Sequence, residues 1–298
     1  MSNAIKIHDE NQTQLVENFY EFPSIYDLAK SPGIYDISED EYHEGPGISR
    51  SSLMEFTEEE GRCPYNYWYK YNNNIVKKEE KPHFLFGHAL HTFFLEPEEF
   101  QSRFIIIEKM HRGTLKYKKL ISELEPTLNG RQIINKEDYK KLQEINKRIN
   151  EHEIAPLLIN NDKAEIEKSL YWVDKDSGVL CKSRPDIMIN NVVVDLKSSK
   201  DLSYKSFRRD IEKYGYHIQA AMIRDSKEVL LNKKTDIFIN LCFEKTAPYL
   251  PRIFQIDPVD IDQGQEIYKK AAIYFKECRD TDTWPTYKSR MVSLNSYN

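Results

Sequence analysis

Two apolar periods divide this chain: spacings of three and four residues, which predict helices with one buried face, and alternation at every second residue, which predicts strands. The helical period starts at ISRSSLMEF, with Ser49 or Ser51 suited to cap the first turn. An aromatic run from Tyr65 to Tyr71 follows and is expected in the core. Pro82 can occupy the first turn of a helix through PHFLFGHALHTFFLE, closed by Glu96-Pro97. Between Lys136 and Glu153, Tyr139, Leu142, Ile145 and Ile149 form one apolar stripe in a charged background, the pattern of a surface helix.

Between Glu167 and Lys197 the period becomes two. EKSLYWV, the polar turn DKDSG, VLCKSRPDIMI, the pair Asn190-Asn191 and VVVDLK read as three successive antiparallel strands. A helix is expected from about Ser203, interrupted near Gly215 and resuming to about Leu231. Strands IFINLCFE and LPRIFQI come next, then an amphipathic helix from Ile261 to Cys278. Helices thus precede, interrupt and follow a small, largely antiparallel sheet, so the class is α/β or α+β with helices packed on the sheet. No repeat, heptad run or Gly/Ser-rich linker divides the chain. A polar, Pro-dotted extension over residues 1–38, of unknown role, precedes one domain over residues 39–298.

Composition narrows the functional classes. With 40% hydrophobic residues in 298, the chain can build a real core. Its formal charge of −5 excludes a generally basic coat, so a polyanionic partner must be met by a local patch or by bound cations. The longest charge-free apolar stretch, Phe84 to Leu95, is far short of the roughly 20 residues that cross a membrane. The N-terminal residues lack a basic then apolar leader, and the expected compartment is the cytoplasm. Cys63, Cys181, Cys242 and Cys278 lie far apart, with no CxxC pair for zinc or a redox dithiol, and read as free thiols.

The candidate chemistry lies in the strand region. If Asn190-Asn191 is a two-residue hairpin loop, Ile189 pairs with Val192, Met188 with Val193 and Ile187 with Val194, and Asp186 falls opposite Asp195. Cross-strand neighbours have Cβ atoms about 4.5–5.5 Å apart, where like charges repel unless something neutralises them. Either the acids are the solvated end of a hairpin, or a divalent cation sits between them. Alternation places Lys197 on the same face and Ile187, Ile189, Val192, Val194 and Leu196 on the other, which suits a core. Pro185 cannot donate to a ladder, so the strand is locally freed where Asp186 sits. In this register Arg184 points towards Lys197, which suggests an anion such as a phosphate between the two cations.

At these residues the sequence resembles a family. PD, eight residues, then DLK is the signature of the PD-(D/E)xK nuclease superfamily, and GHALH looks like the Gly-x-x-x-His helix of its exonuclease branch. EDEYHEGPGISRSSL, EKSLYWVDKDSGVLCKSRPD, VVVDLKSS, YHIQAA and TDTWP together resemble the RecE family, the exodeoxyribonuclease VIII type of phages and prophages. That resemblance runs from about Glu39 to about Tyr287. It implies a restriction-endonuclease-like core, a small mixed sheet with an antiparallel meander flanked by helices. It also implies that His91, Asp186, Asp195 and the Leu196 carbonyl bind Mg²⁺, with Mn²⁺ as substitute, and that Lys197 orients or activates the attacking water. Glu167 matches an additional acid. A five-residue loop, Asp174 to Gly178, would set it opposite Pro185, so a bulge or altered register is needed to turn it inward. Tyr216 and Gln219 match a Tyr-x-x-Gln that supports the lysine and the DNA backbone; Ile223 stands where the family commonly has Tyr. His88 is assigned no catalytic role.

The resemblance implies processive 5′ to 3′ digestion of linear duplex DNA leaving a 3′ single strand, a ring-like homo-oligomer, and a single-strand annealing partner of the RecT type. Lys205, Arg208 and Arg209, after the DLK strand, are candidate DNA contacts, as are Arg112, Lys116, Lys118 and Lys119 in a predicted loop. Ordinary solvated charge is the plainer reading of both groups, and suits the second better. The rivals are a Cas4-like or RecB-like nuclease of other polarity and an inactive DNA-end-binding protein on the same fold. An iron–sulfur cluster is not expected, because only Cys242 and Cys278 follow the Gln motif.

Overall fold

The computed structural model describes residues 31–57, 61–71 and 82–287, without the side chains of residues 82–84. A short strand β1 (Gly33–Tyr35) leads into helices α1 (Glu39–Glu44), α2 (Arg50–Leu53) and α3 (Pro64–Tyr71). Ser38 and Glu41 form a reciprocal capping box on α1, and Ser49 occupies the N-cap position of α2. The expected long helix is α4 (Pro82–Leu95), followed by α5 (Phe100–Arg103), β2 (Phe104–Ile107), α6 (Leu115–Leu124), β3 (Gln132–Asn135), α7 (Lys136–Asn150) and α8 (Ala155–Ile159). The strand region holds β4 (Glu165–Ile166), β5 (Ser169–Val173), β6 (Leu180–Ser183), β7 (Ile187–Ile189) and β8 (Val192–Ser199). Helices α9 (Tyr204–Tyr214) and α10 (Tyr216–Leu231), strands β9 (Ile237–Glu244) and β10 (Pro251–Gln255) and helix α11 (Pro258–Thr281) complete the described chain.

Five strands form the main sheet in the order β10-β9-β8-β7-β4, antiparallel except for the parallel pair β8–β9. Alternation gives this sheet two apolar faces. Ile187, Ile189, Val194, Leu196, Leu241 and Phe243 pack with α4 and α7 through residues such as Leu90, Phe94, Leu142 and Ile145. Met188, Val193 and Phe238 point the other way, into a second core with Trp172, Ile218, Met222, Ala271 and Phe275. The chain's chemistry-bearing positions 195 and 197 share the parity of Val193 and therefore the face covered by α9 and α10.

The hairpin register follows the sequence reading: Ile187 pairs with Val194, Met188 with Val193 and Ile189 with Val192, and Asn190 takes the left-handed conformation at φ 50°. Three expectations are corrected and one pairing is new. The middle strand is two strands: β6 belongs to a separate sheet, ordered β1-β5-β6, and β7 to the main one. Arg112 lies in a turn and Lys116, Lys118 and Lys119 lie on helix α6, not in a loop. The short parallel pair β2–β3 was not foreseen. Of the aromatic run, Tyr67 packs on Phe56, Phe275 and Trp284, whereas Tyr65, Tyr69 and Tyr71 are exposed because α3 presents only one side to the core. The four cysteines are buried and free. Among the described residues no helix is long and apolar enough to cross a membrane.

Helices α10 and α11 meet at Gly264, where an added Cβ would lie 2.4 Å from the His217 carbonyl oxygen. Gly264→Ala must therefore push α11 off α10, and overpacking of this kind costs about 1–3 kcal/mol. Urea unfolding is expected to show a lower midpoint with an unchanged m-value; an unchanged midpoint would mean that the two helices separate freely.

Candidate active site

Two chain crossings between sheets meet at one level. The first runs from β4 to β5 through Glu167, and the second from β6 to β7 through Arg184, Pro185 and Asp186. They are joined there by a single backbone bond, in which Glu167 N–H donates to the Asp186 carbonyl at 3.0 Å. Strands β5 and β6 pair Leu170 with Ser183 and Trp172 with Cys181, one residue away from the expected register. This sets Glu167 opposite Asp186 and not Pro185. Glu167 also adopts a left-handed conformation, φ 48°, which is rare for a residue with a long side chain. Of the two alternatives that the sequence reading offered, the altered register is the one present, and a left-handed Glu167 accompanies it in place of a bulge.

The side chains at this seam close on one another. Asp186 Oδ2 accepts from the Leu196 backbone N–H at 2.6 Å, so it reaches across the hairpin to the strand carrying Asp195. His91 of α4 places Nδ1 3.5 Å from Asp186 Oδ1 and 3.8 Å from Glu167 Oε1. Asp195 is held at both oxygens, by Gln219 Nε2 at 2.7 Å from Oδ1 and by an ion pair between Lys197 Nζ and Oδ2. Lys197 Nζ lies 4.9 Å from the centre of the Tyr216 ring, a cation–π contact. His91, Glu167, Arg184, Asp186, Arg50 and Gln219 all line one cavity of ≈ 700 Å³.

Burial and charge set the protonation of this group. Burial works against a charged imidazole at His91, but Asp186 and Glu167 outweigh it and raise the His91 pKa, so the ring is a cation between two acids. Burial raises Asp186, the charge of Asp195 adds to it, and His91 and Lys197 oppose it. Burial would also raise Glu167, yet the neighbouring His91 imidazolium and the Arg184 guanidinium lower it. Tyr216 is raised by burial and by Asp195 and stays a neutral phenol.

Arg184 departs from its expected place beside an anion near Lys197. Its Nη2 binds Glu167 Oε2 at 3.0 Å, and its Nη1 donates to the Ile37 carbonyl at 2.7 Å and to Ser169 Oγ at 2.8 Å. Glu167 itself supplies the negative charge that the sequence reading looked for. Arg208 is bound by Asp260 and Glu212, and Arg209 Nε donates to the Lys205 carbonyl, while Lys205 remains exposed. Ile223 is fully buried in the core behind the helix.

Sequence reasoning missed three neighbours. Arg50, read only as part of a helix start, donates to the Tyr214 carbonyl at 2.8 Å and reaches Gln219 Oε1 at 3.5 Å. Glu39 binds His88 Nε2 at 3.1 Å and His43 Nε2 at 3.5 Å, on the wall of the same cavity, and His43 first of all brings the Glu39 pKa down to about 2. Asn240 sits beside Asp195 across β8–β9, fully buried, with neither amide atom hydrogen-bonded. A polar residue inside the apolar run IFINLCFE was the available signal for the last.

Among the described residues no group of three or more His, Cys, Asp or Glu is already arranged to hold an ion. The reason is visible in the contacts: His91, Lys197 and Arg184 occupy the carboxylates. The donor set itself, the Glu167 and Asp186 carboxylates with the His91 imidazole on one cavity and the Asp195 carboxylate on β8, fits a hard divalent cation by its chemistry.

A family profile described as a PDDEXK-like domain of unknown function (DUF3799) matches residues 49–294. Among solved structures, a presumed exonuclease from Eubacterium rectale is similar over 97% of this chain and 97% of that chain, with 16% identity and a TM-score of 0.56. A phage-related exonuclease from Haemophilus somnus 129PT aligns with 65% of this chain and 95% of that one, at 13% identity and a TM-score of 0.30. No match is found among curated proteins. The Eubacterium rectale likeness shows a shared fold.

Arg184 offers a test of the site's internal balance. Its side chain and that of Glu167 are 13% and 14% exposed, so removing the cation strands a mostly desolvated carboxylate. Arg184→Leu is expected to cost about 3 kcal/mol in DNA-free urea unfolding, the low end for breaking a buried pair. A loss below about 0.5 kcal/mol, the range of an ordinary surface change, would release Arg184 from this structural duty.

Proposed function

The chain belongs to the PDDEXK-like domain family DUF3799, and from that premise we propose that it is a metal-dependent exodeoxyribonuclease of the RecE type. The observation that carries this reading is the gathering of His91, Glu167, Asp186 and Gln219 around one cavity at the end of a split hairpin, with Asp195 bound to Gln219 and paired with Lys197. Buried acids in contact with a half-buried lysine are costly to fold, and hydrolysis of a phosphodiester gives each a use.

In this reading His91, Asp186, Asp195 and the Leu196 carbonyl hold Mg²⁺, or Mn²⁺ in its place, and Glu167 holds a second ion or its water. A bound divalent cation would supply charge neutralisation at the phosphate and a lowered water pKa. The protein's own groups do the remaining work. Lys197, fixed between Asp195 and the Tyr216 ring, presents an ammonium that orients the attacking water and meets charge on the phosphate. Gln219 keeps Asp195 from rotating away, and Arg50 keeps Gln219 in turn. Asp186 is aimed by the Leu196 N–H, so both acids are set before any ligand enters.

The substrate is linear duplex DNA, digested processively from 5′ to 3′ to leave a 3′ strand for recombination, with a RecT-type annealing protein as partner. Self-assembly into a ring would keep a net-negative protein on its track, with Lys205, Arg209 and, once freed from Asp260, Arg208 meeting the backbone. Arg184 joins them only if DNA displaces it from Glu167. The domain runs over residues 39–298 and acts in the cytoplasm.

The test uses linear duplex labelled at the 5′ or the 3′ end, with Mg²⁺, Mn²⁺ or EDTA, beside an Asp195→Ala variant. Early release of the 5′ label as mononucleotide, lost in EDTA and in the variant, is the expected result. Early 3′ release or internal cuts would keep a nuclease and reject the polarity. Binding of duplex ends with no cleavage under any metal would favour a non-catalytic end-binding protein.

A further inference from the structure

Tyr214, 43% exposed, ends α9 one residue before the helix break. Its position is fixed from three sides. The next residue, Gly215, is left-handed at φ 65°, and a Cβ there would meet Met54 Sδ at 2.7 Å, so the break between α9 and α10 has little freedom. The Tyr214 carbonyl accepts a hydrogen bond from Arg50 Nη1 at 2.8 Å. Its ring stacks on Tyr216 with centroids 5.7 Å apart and planes 27° from parallel, an offset stack.

These contacts form a closed circuit. Arg50 reaches Gln219, Gln219 binds Asp195, Asp195 pairs with Lys197, Lys197 lies on the Tyr216 ring, Tyr216 stacks on Tyr214, and the Tyr214 carbonyl returns to Arg50. Arg50, Asp195, Lys197, Tyr216 and Gln219 are buried or half-buried, and Tyr214 is the one member classed as exposed. A large aromatic residue that leaves about two-fifths of its surface in water, yet is tied through two contacts to a catalytic ammonium, is only partly explained as packing. Lys213 adds a cation over the ring, its Nζ 5.2 Å from the Tyr214 ring centre, on an exposed side chain that a base can displace.

We propose that Tyr214 is a nucleobase-stacking site, which seats one base of the strand being cut and registers the strand against Lys197. An exposed aromatic face beside a basic side chain is the pairing that holds single-stranded nucleic acid without sequence preference, because every base offers a π-face and every linkage a charge. The distance is right for registry. Tyr214 lies no farther from the Lys197 ammonium than the 5.7 Å and 4.9 Å steps laid end to end. A base stacked on the ring lies one further stacking distance out, so at about 3.4 Å per nucleotide along one strand it falls within about four nucleotides of the phosphate that Lys197 meets. A base held by its flat face slides when the next nucleotide is to be cut, whereas a base held by edge-specific hydrogen bonds must be released and read again. Stacking therefore suits a strand that advances one residue at a time. This inference deepens the exonuclease reading and rests on it.

The experiment measures binding of the full chain, in EDTA, to linear duplexes carrying 2-aminopurine or an abasic site at each of the first four positions of the 5′-ended strand. In the wild type, quenching of 2-aminopurine fluorescence is expected to peak at one position, and an abasic site there is expected to weaken binding roughly 5- to 150-fold, the range for one lost base–aromatic stack. Tyr214→Ala should lose the quenching and bind intact DNA as weakly as the wild type binds the abasic duplex. Adding the abasic site to the variant should then cost nothing more, and Tyr214→Trp should restore both readouts. Independent, additive losses, or quenching that is equal in wild type and Tyr214→Ala, would overturn the proposal. Should Tyr214→Ala unfold, the abasic series in wild type and the Tyr214→Trp variant still decide it. Because no cleavage is needed, a failed stacking site and a failed nuclease reading give separate results.

Discussion

The site depends on keeping two like charges buried side by side. Asp195 is 1% exposed and Asp186 8%, and both belong to one hairpin. Two unit charges about 4 Å apart interact by about 4 kcal/mol at an effective dielectric near 20, a large fraction of what a domain has to spare. The fold exists around the groups that offset this. Lys197 and Gln219 take the two oxygens of Asp195, while His91 and the Leu196 N–H take those of Asp186. They come from three elements, β8, α4 and α10, so the cores on both faces of the main sheet must be correct before the charges are balanced. The packing of α4 on one face aims His91, and that of α10 on the other aims Gln219 and Tyr216.

The irregular backbone at the seam follows from the same constraint. A continuous ladder would direct Glu167 and Asp186, opposite one another, to the face of Met188, away from α4. Breaking both strands at one level, with Pro185 unable to donate and Glu167 in a left-handed conformation, lets both acids face His91. A non-glycine residue held there costs on the order of 1–2 kcal/mol. The Arg184 and His91 contacts to Glu167 are of a size to offset it.

The hairpin was legible because its information is local: alternation fixes the faces, and a two-residue Asn-Asn turn fixes the register. His91, Tyr216 and Gln219 were legible only through a family resemblance, since nothing within α4 or α10 alone says which polar residue faces the sheet. What stayed hidden was tertiary. The one-residue register shift of β5–β6 depends on Asp174, whose side chain binds Ser177 within the loop and Lys269 of α11. The destination of Arg184 depends on where Glu167 ends up, which depends on that shift. Helix α6 escaped notice because its apolar positions, Tyr117, Leu120, Ile121 and Leu124, are only half-buried, and a weakly buried stripe is weakly specified. The exposed tyrosines of α3 show the converse error, in which aromatic content was taken for burial.

Charge counting links the resting arrangement to the proposed chemistry. Each acid has a cation within 4 Å: Arg184 on Glu167, His91 by Asp186 and Lys197 on Asp195. Burial raises the Asp186 pKa and the two acids raise that of His91, so the proton held between His91 and Asp186 is the one that a divalent ion, bound as proposed, would displace. An ion on Asp195 would also loosen Lys197 from that carboxylate and leave its ammonium free to meet a phosphate. The same pairing says why Arg184 is better kept on Glu167 than offered to DNA: freed, it would leave a mostly desolvated acid without its cation.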